Sequence, residues 1–353
     1  MSQTIMTLTY RTLAPALLCT MLVLGACSSS PPVSQPTPVA SAPEESPART
    51  FDSTFAAVVG VFTTIPEDAR TAEALGTRRQ GSGVLIDDDG LILTIGYLIM
   101  EADEIVVVGP QGEQIPADFI AYDHATGFGL VRAREPVMAS AMKLGESKYL
   151  NQGDPVLAVS FSGRAPVVAA SVVSRRPFAG YWEYLLENAI FTLPAHHEYG
   201  GAALINSRGE LVGIGSLIVN DAIVQERPVI GNMFVPVESL QPILADLVES
   251  GRRKAPVPPW LGVYTEEAEG RLYISRLTKD GPGEQAGLKP GDIIIGVDGR
   301  RIGNMIEYYR KIRKTGNAGT SINLDVVPFG SKDLTINKIN VKSLDRFDWL
   351  KLH

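Results

Sequence analysis

Short apolar runs rich in Val, Ile and Leu recur at 56–62, 84–86, 91–95, 105–108, 155–161, 166–173, 189–193, 202–205 and 211–214. Turn residues separate them, most visibly at Asp87-Asp88-Asp89-Gly90, Gly109-Pro110-Gln111-Gly112 and Asn206-Ser207-Arg208-Gly209. Runs of strand length punctuated in this way predict an all-β barrel or sandwich. The period then changes: Leu240, Ile243, Leu244 and Leu247 lie at i, i+3, i+4 and i+7 and line one face of a helix. Ser239 is placed to cap its start, Pro242 is tolerable in the first turn, and Gly251 closes the end. Arg252-Arg253-Lys254-Ala255-Pro256-Val257-Pro258-Pro259 reads as a short stiff linker, so a second unit begins near Trp260. That unit reads as strand-turn-strand, a helix over 304–314 and a final strand near 322–327.

The N-terminus has a different pattern. Arg11 is the only charge before a 14-residue apolar run, 13–26, that ends in Leu24-Gly25-Ala26-Cys27. The run is short for a membrane span, which wants about 20 apolar residues, and it reads as a secretory signal peptide. Its ending resembles a bacterial lipobox, which implies that Cys27 becomes a lipidated N-terminus. Cys19 and Cys27 are the only cysteines, so the chain from Cys27 onward has no second sulfur for a disulfide or a Cys-based zinc site. Residues 27–50, with Pro31, Pro32, Pro36, Pro38, Pro43 and Pro47 among Ser, Thr and Ala, cannot bury a core and read as a tether. At about 3.1 Å per residue such a segment reaches some tens of ångströms. Ser28 after the cysteine favours, by resemblance to Gram-negative lipoproteins, the outer membrane facing the periplasm.

Length sets the domain count: 353 residues suggest two domains. The hydrophobic content of 45% is ordinary for a globular protein. A net charge of −7 without a concentrated basic stretch argues against nucleic acid as a partner.

Ala286-Gly287-Leu288-Lys289-Pro290-Gly291-Asp292-Ile293-Ile294-Ile295-Gly296-Val297-Asp298-Gly299 resembles a PDZ domain of the bacterial protease-associated kind. PDZ domains take an extended peptide as an added strand and hold its terminal carboxylate on backbone N–H groups. The matching loop is Trp260-Leu261-Gly262-Val263, where Gly262 permits close backbone approach. Met305, Tyr308, Tyr309 and Ile312 are candidates for the facing helix wall, and which of them face the core instead stays open.

An all-β domain, a linking helix and a PDZ domain together resemble the HtrA (DegP-like) serine proteases. Gly81-Ser82-Gly83-Val84-Leu85-Ile86 is similar to the family's opening strand. Gly200-Gly201, Leu204-Ile205-Asn206 and Gly209-Glu210-Leu211-Val212-Gly213-Ile214 follow its nucleophile segment, and Asn232-Met233-Phe234-Val235-Pro236 stands where it enters the linking helix. The resemblance implies a mainly β protein, a trypsin-like double β-barrel at 51–250, a linker at 251–259 and a small α+β PDZ domain at 260–345. It also implies homotrimers through N-terminal aromatics, for which Phe51 and Phe55 are candidates, or association with an active homologue.

The triad positions depart from the family. Tyr97 in Thr94-Ile95-Gly96-Tyr97-Leu98-Ile99 stands where the histidine belongs. Gly127 stands where the aspartate belongs, and Gly200, or Tyr199 with a one-residue slip, where the nucleophile belongs. A phenol with an ordinary pKa near 10 is a poor base for a serine hydroxyl. Glu198 falls at the oxyanion loop, where a carboxylate repels developing negative charge. His124, His196 and His197 lie at this end of the scaffold without an evident partner serine, Ser207 lying in a predicted turn and Ser216 just past the strand that follows it. As adjacent strand residues, His196 and His197 point to opposite faces and do not suggest a metal site.

The sequence therefore leads to the expectation of a catalytically inactive, lipid-tethered homologue in the cell envelope. It would bind peptides or protein C-termini through its PDZ domain as scaffold, adaptor or chaperone, with no cofactor and no metal. The alternative is an active serine-type endopeptidase with a rearranged catalytic site.

Overall fold

The computed structural model describes residues 54–162, 166–225, 227–331, 335–350 and 352. The signal peptide, Cys27, the tether and Phe51 lie outside the described residues.

Two closed six-stranded barrels come first. Strands β1 (Val58–Thr64), β2 (Arg78–Leu85), β3 (Leu91–Ile95), β4 (Glu104–Val108), β5 (Gln114–Tyr122) and β6 (Phe128–Ala133) close in the order β1-β2-β3-β6-β5-β4. Strands β7 (Pro155–Val159), β8 (Val167–Gly180), β9 (Tyr184–Leu193), β10 (Ala203–Ile205), β11 (Leu211–Val219) and β12 (Gly231–Pro236) close as β10-β11-β12-β9-β8-β7. Closure pairs every strand on both sides and leaves no free edge. All five residues of β3 are buried, and so are all six of β12.

The turns work as the local chemistry requires. Asp87 Oδ1 accepts from the amides of Asp89 (3.0 Å) and Leu91 (2.7 Å), folding the chain back between β2 and β3. Asn206 Oδ1 does the same for Arg208 (2.9 Å) and Glu210 (3.0 Å) between β10 and β11.

The linking helix starts later than its apolar spacing predicts. A 3₁₀ turn covers Val237–Ser239, and helix α1 runs only over Leu244–Ser250. Pro242 has no N–H to give and disfavours the helical conformation at Gln241, so regular hydrogen bonding begins beyond it. Leu240, Ile243 and Leu247 are nonetheless buried, and Gly251 closes the helix at φ +73° with its amide on Leu247 O.

The second domain is a sheet in the order β13-β14-β15-β17-β18, from β13 (Val263–Ala268), β14 (Arg271–Leu277), β15 (Ile293–Val297), β17 (Ser321–Val327) and β18 (Asn337–Lys342), with the short β16 (Arg300–Arg301) beside β15. Helix α2 (Met305–Thr315) is capped by Asn304 Oδ1, which accepts from Glu307 N at 2.8 Å, and buries Met305, Tyr308, Tyr309 and Ile312. Strand β17 matches the expected strand at 322–327, but it is not the last, because β18 pairs along its whole length. Phe55 packs against the barrel core.

The linker is held rather than loose. Arg253 makes two hydrogen bonds to the buried Asp123 carboxylate, at 2.5 and 2.8 Å.

Candidate functional site

Three loops meet where the family's catalytic cleft would lie. Tyr97 sits in the 3₁₀ turn Gly96–Leu98 after β3. Gly127 lies in the β5–β6 turn at φ +82°, and Gly200 on the loop leading into β10. A Cβ added at Gly200 would lie 3.0 Å from Tyr97 Oη, so positions 97 and 200 do face each other. Tyr97 Oη donates to Ser216 O at 3.1 Å. Gly127 is tied to the same turn by its carbonyl, which accepts from Gly96 N at 2.7 Å, while its Cα faces the Tyr184 ring. Burial, with Tyr199 adding to it, pushes the Tyr97 phenol far above its ordinary pKa, so it stays protonated.

The loop carrying Gly200 is fixed by backbone. Gly200 O accepts from Ser82 N at 2.8 Å, and Gly201, at φ +73°, lies against Ser82 O. His196 is buried, and Asn232 clamps its main chain: Oδ1 accepts from His196 N (2.6 Å) and Nδ2 donates to His196 O (2.9 Å). Its Nε2 has no hydrogen-bond partner among the described residues, and burial lowers its pKa, so the imidazole is neutral. His197 and Glu198 are both exposed; residues 194–199 form a loop beyond the end of β9, not the strand the sequence suggested, so the opposite placement of His196 and His197 comes from the loop and not from strand alternation. His124 Nδ1 lies 3.1 Å from both Tyr122 Oη and an Arg346 nitrogen, far from a nucleophile role. Ser207 stays in the Asn206 turn, and the Ser216 carbonyl is the acceptor for Tyr97.

In the second domain the amides of Leu261 and Val263 converge on one carboxylate, that of Glu183, at 2.8 and 2.6 Å. Gly262 lies between them at φ +72°. Strand β13 forms one edge of its sheet, directly after this loop. Across from it, Tyr309 Oη lies 3.1 Å from Thr265 Oγ1. Met305, Tyr308 and Ile312 join the domain core, so of the four helix candidates Tyr309 makes the polar groove contact. Trp260 faces elsewhere: its ring packs on Trp349 at 4.8 Å and its main chain bridges Leu344.

Comparison with known proteins agrees with this geometry. The description "Trypsin-like peptidase domain" matches residues 81–214, and "PDZ domain" matches 273–328. The chain is HtrA/DegP-like, a trypsin-fold domain followed by a PDZ domain. It is 28% identical over 290 residues to a probable periplasmic serine endoprotease DegP-like of Pseudomonas fulva, covering 76% of this chain and 58% of that relative. To the periplasmic serine endoprotease DegP of Escherichia coli K12 it is 26% identical over 276 residues, 73% of this chain and 56% of that one. The HtrA-like chain thus spans little more than half the length of these relatives. Among solved structures, an HtrA-type protease AlgW with tripeptide shares the fold at TM-score 0.52 and 20% identity, covering 84% of this chain and 96% of its own. A serine endoprotease from Yersinia pestis does so at 0.52 and 22%, covering 86% and 99%.

These matches correct one expectation. The altered residues at 97, 127 and 200 led to a reading of the chain as no enzyme, whereas it carries a trypsin-like peptidase domain and its relatives are named serine endoproteases. Departure from a motif locates a change at three positions and does not by itself decide what the HtrA-like domain does. Sequence reasoning also missed Glu183, Asp123 and the Glu187–Arg310 pair. The signal for Glu183 was present: Tyr181-Trp182-Glu183-Tyr184 puts a carboxylate among three aromatics at a turn, an unusual composition for a solvated loop.

Proposed function

We propose that this protein recognises extended peptide segments by their terminal carboxylate, through its PDZ domain, as a lipid-anchored component of the bacterial cell envelope. The observation that carries the reading is the convergence of Leu261 and Val263 amides on a carboxylate. Charge-assisted hydrogen bonds of this kind are about twice as strong as neutral ones and favour the ionised chain end over an amide. The β13 edge then offers main-chain pairing to the residues upstream. Lipid on Cys27, an outer-membrane position facing the periplasm, and a scaffold, adaptor or chaperone role complete the proposal; trimer formation and association with an active homologue are its assembly expectations. Peptides with a free carboxylate should bind saturably and their amides should not. Gly262→Val should weaken binding at least tenfold, because φ +72° is strained for a β-branched residue and its Cβ would lie 3.2 Å from the Thr278 Cβ. Equal binding of acid and amide peptides would refute the reading.

A second reading, favoured by the relatives' names, is a serine-type endopeptidase with a rearranged site. With Tyr97 held protonated, the proton acceptor must come from elsewhere, and the candidate is the buried, neutral His196 ring, four residues before Gly200, its neighbour His197 being exposed. Its buried Nε2 would have to be exposed by movement of the 194–201 loop. This reading expects time-dependent fluorophosphonate labelling of one serine, with His196→Ala slowing it about 100-fold or more, the usual worth of a general base. Because Asn232 holds only main-chain atoms of His196, the variant should keep its fold. Absence of labelling and of casein cleavage would contradict the endopeptidase reading.

A further inference from the structure

The carboxylate in the PDZ loop comes from the barrel domain. Residues 180–185, the turn between β8 and β9 with the strand ends that flank it, enter the groove between β13 and α2. Thr265 N donates to Tyr181 O at 3.0 Å, a main-chain bond on the open edge of β13. Tyr309 Oη donates to Gly180 O (2.9 Å) and accepts from Glu183 N (3.2 Å). Leu185 is 1% exposed and packs in the PDZ core with Leu261, Val263 and Tyr309. Outside the groove, Arg310 holds Glu187 with two hydrogen bonds, 3.0 and 2.6 Å. Glu183 has φ +63°, a left-handed conformation that costs a non-glycine residue about 1–3 kcal/mol and persists where surrounding contacts impose it.

Edge-strand pairing, a carboxylate in an N–H cradle and an apolar side chain beside it are the three contacts a peptide C-terminus makes with such a groove. Resting on the PDZ reading above, we propose that the β8–β9 turn is a built-in occupant of the peptide groove, with Glu183 standing for a terminal carboxylate and Leu185 for an apolar terminal side chain. An incoming C-terminus must displace it. Apparent affinity is then the intrinsic affinity reduced by the fraction of molecules with the turn undocked.

The Glu183 carboxyl adds a pH dependence. Burial pushes it up to about 7, against the opposing pull of the Val263 and Leu261 amides and of Arg346. The other groups facing it are His124 from the β5–β6 turn and Tyr308 and Tyr309 from α2. His124 is shifted well below its ordinary value and stays neutral, and both phenols are shifted up and stay protonated. Between pH 5 and 8 Glu183 is thus the member of this group that changes charge. The docked carboxyl binds its proton more tightly than a free one, so docking is strongest below pH 4.5 and weakens as pH rises towards 7. A peptide terminus free in solution, with pKa about 3.5, is ionised across this range. Peptide affinity should therefore rise at least tenfold from pH 5 to 8, and Glu183→Gln should flatten the curve.

The test uses the full chain and a fluorescein-labelled decapeptide pool, randomised except for a carboxy-terminal leucine, as free acid and as amide. Anisotropy should show Glu183→Ala binding the free acid at least tenfold more tightly than the wild type at pH 6. Glu187→Lys, at an exposed position that does not threaten the fold, should tighten binding several-fold, and Glu187→Lys with Arg310→Glu should restore the wild-type value. Carboxylate-dependent binding that is equal in the wild type and both single variants would overturn the built-in occupant and leave the PDZ reading standing. No carboxylate-dependent binding in any variant would overturn both.

Discussion

Gly201→Ala is expected to leave little folded protein at 37 °C. The position has φ +73°, and a Cβ there would lie 1.8 Å from Ser82 O, an impossible approach to backbone. Neither side can yield cheaply. Ser82 N donates to Gly200 O at 2.8 Å, Ser82 O accepts from Thr94 Oγ1 at 2.7 Å, and Gly201 N donates to Gly215 O at 2.9 Å. Overpacking in a tight site costs about 1–3 kcal/mol, and the left-handed conformation adds about 1 kcal/mol or more. The sum is a large share of the about 5–15 kcal/mol that holds a domain folded. Urea unfolding reads it directly: an unfolding free energy lowered by about 3 kcal/mol or more is expected, and one within about 0.5 kcal/mol of the wild type would show that the 198–201 loop is not pinned to β2 and β11 in this way.

Asp123→Ala should be comparably damaging for a different reason. Its carboxylate, 2% exposed, accepts from Arg253 twice and from Thr126 N (2.9 Å) and Oγ1 (2.6 Å). Removing it strands the Arg253 guanidinium, whose side chain is 15% exposed, and breaking one half of a buried pair costs about 3–5 kcal/mol. The turn that carries His124 and Gly127 would loosen, and so would the linker. Asp123→Ala with Arg253→Met should be clearly more stable than Asp123→Ala alone, since no charge is then left buried. Melting temperatures of the two variants decide this: equal values would mean that the pair does not hold the linker.

Much of the barrel architecture was legible because its strands are continuous apolar runs, as in β3 and β12. The run Phe119-Ile120-Ala121-Tyr122 in the second half of strand β5 was passed over, and the first half carries no apolar run, because Ile115 and Ala117 alternate with Gln114, Pro116 and Asp118. Strand β18 was missed for the same reason: of its six residues only Val341 is buried. The Trp260–Val263 loop was legible through the PDZ resemblance and its glycine, and the helix through its apolar period, although Asn304 caps it from outside instead of forming its first residue. The occupant of that loop was not. Glu183 lies 78 residues from Leu261 in the chain, and only the closure of the second barrel brings the β8–β9 turn to the groove. At the cleft, positions 97 and 200 face each other while Gly127 faces Tyr184, and the function class inferred from the three was corrected by the relatives, because absence of the usual side chains does not say which others act.

Peptide recognition by this protein requires the 260–263 loop to be a receptor for a terminal carboxylate. The most direct test follows the Leu261 and Val263 amide resonances of the isotope-labelled Glu183→Ala chain during titration with the leucine-terminated peptide pool. Saturable movement of both resonances with the free acid and none with the amide is the expected result; resonances that stay still, or that move alike with acid and amide, would contradict it.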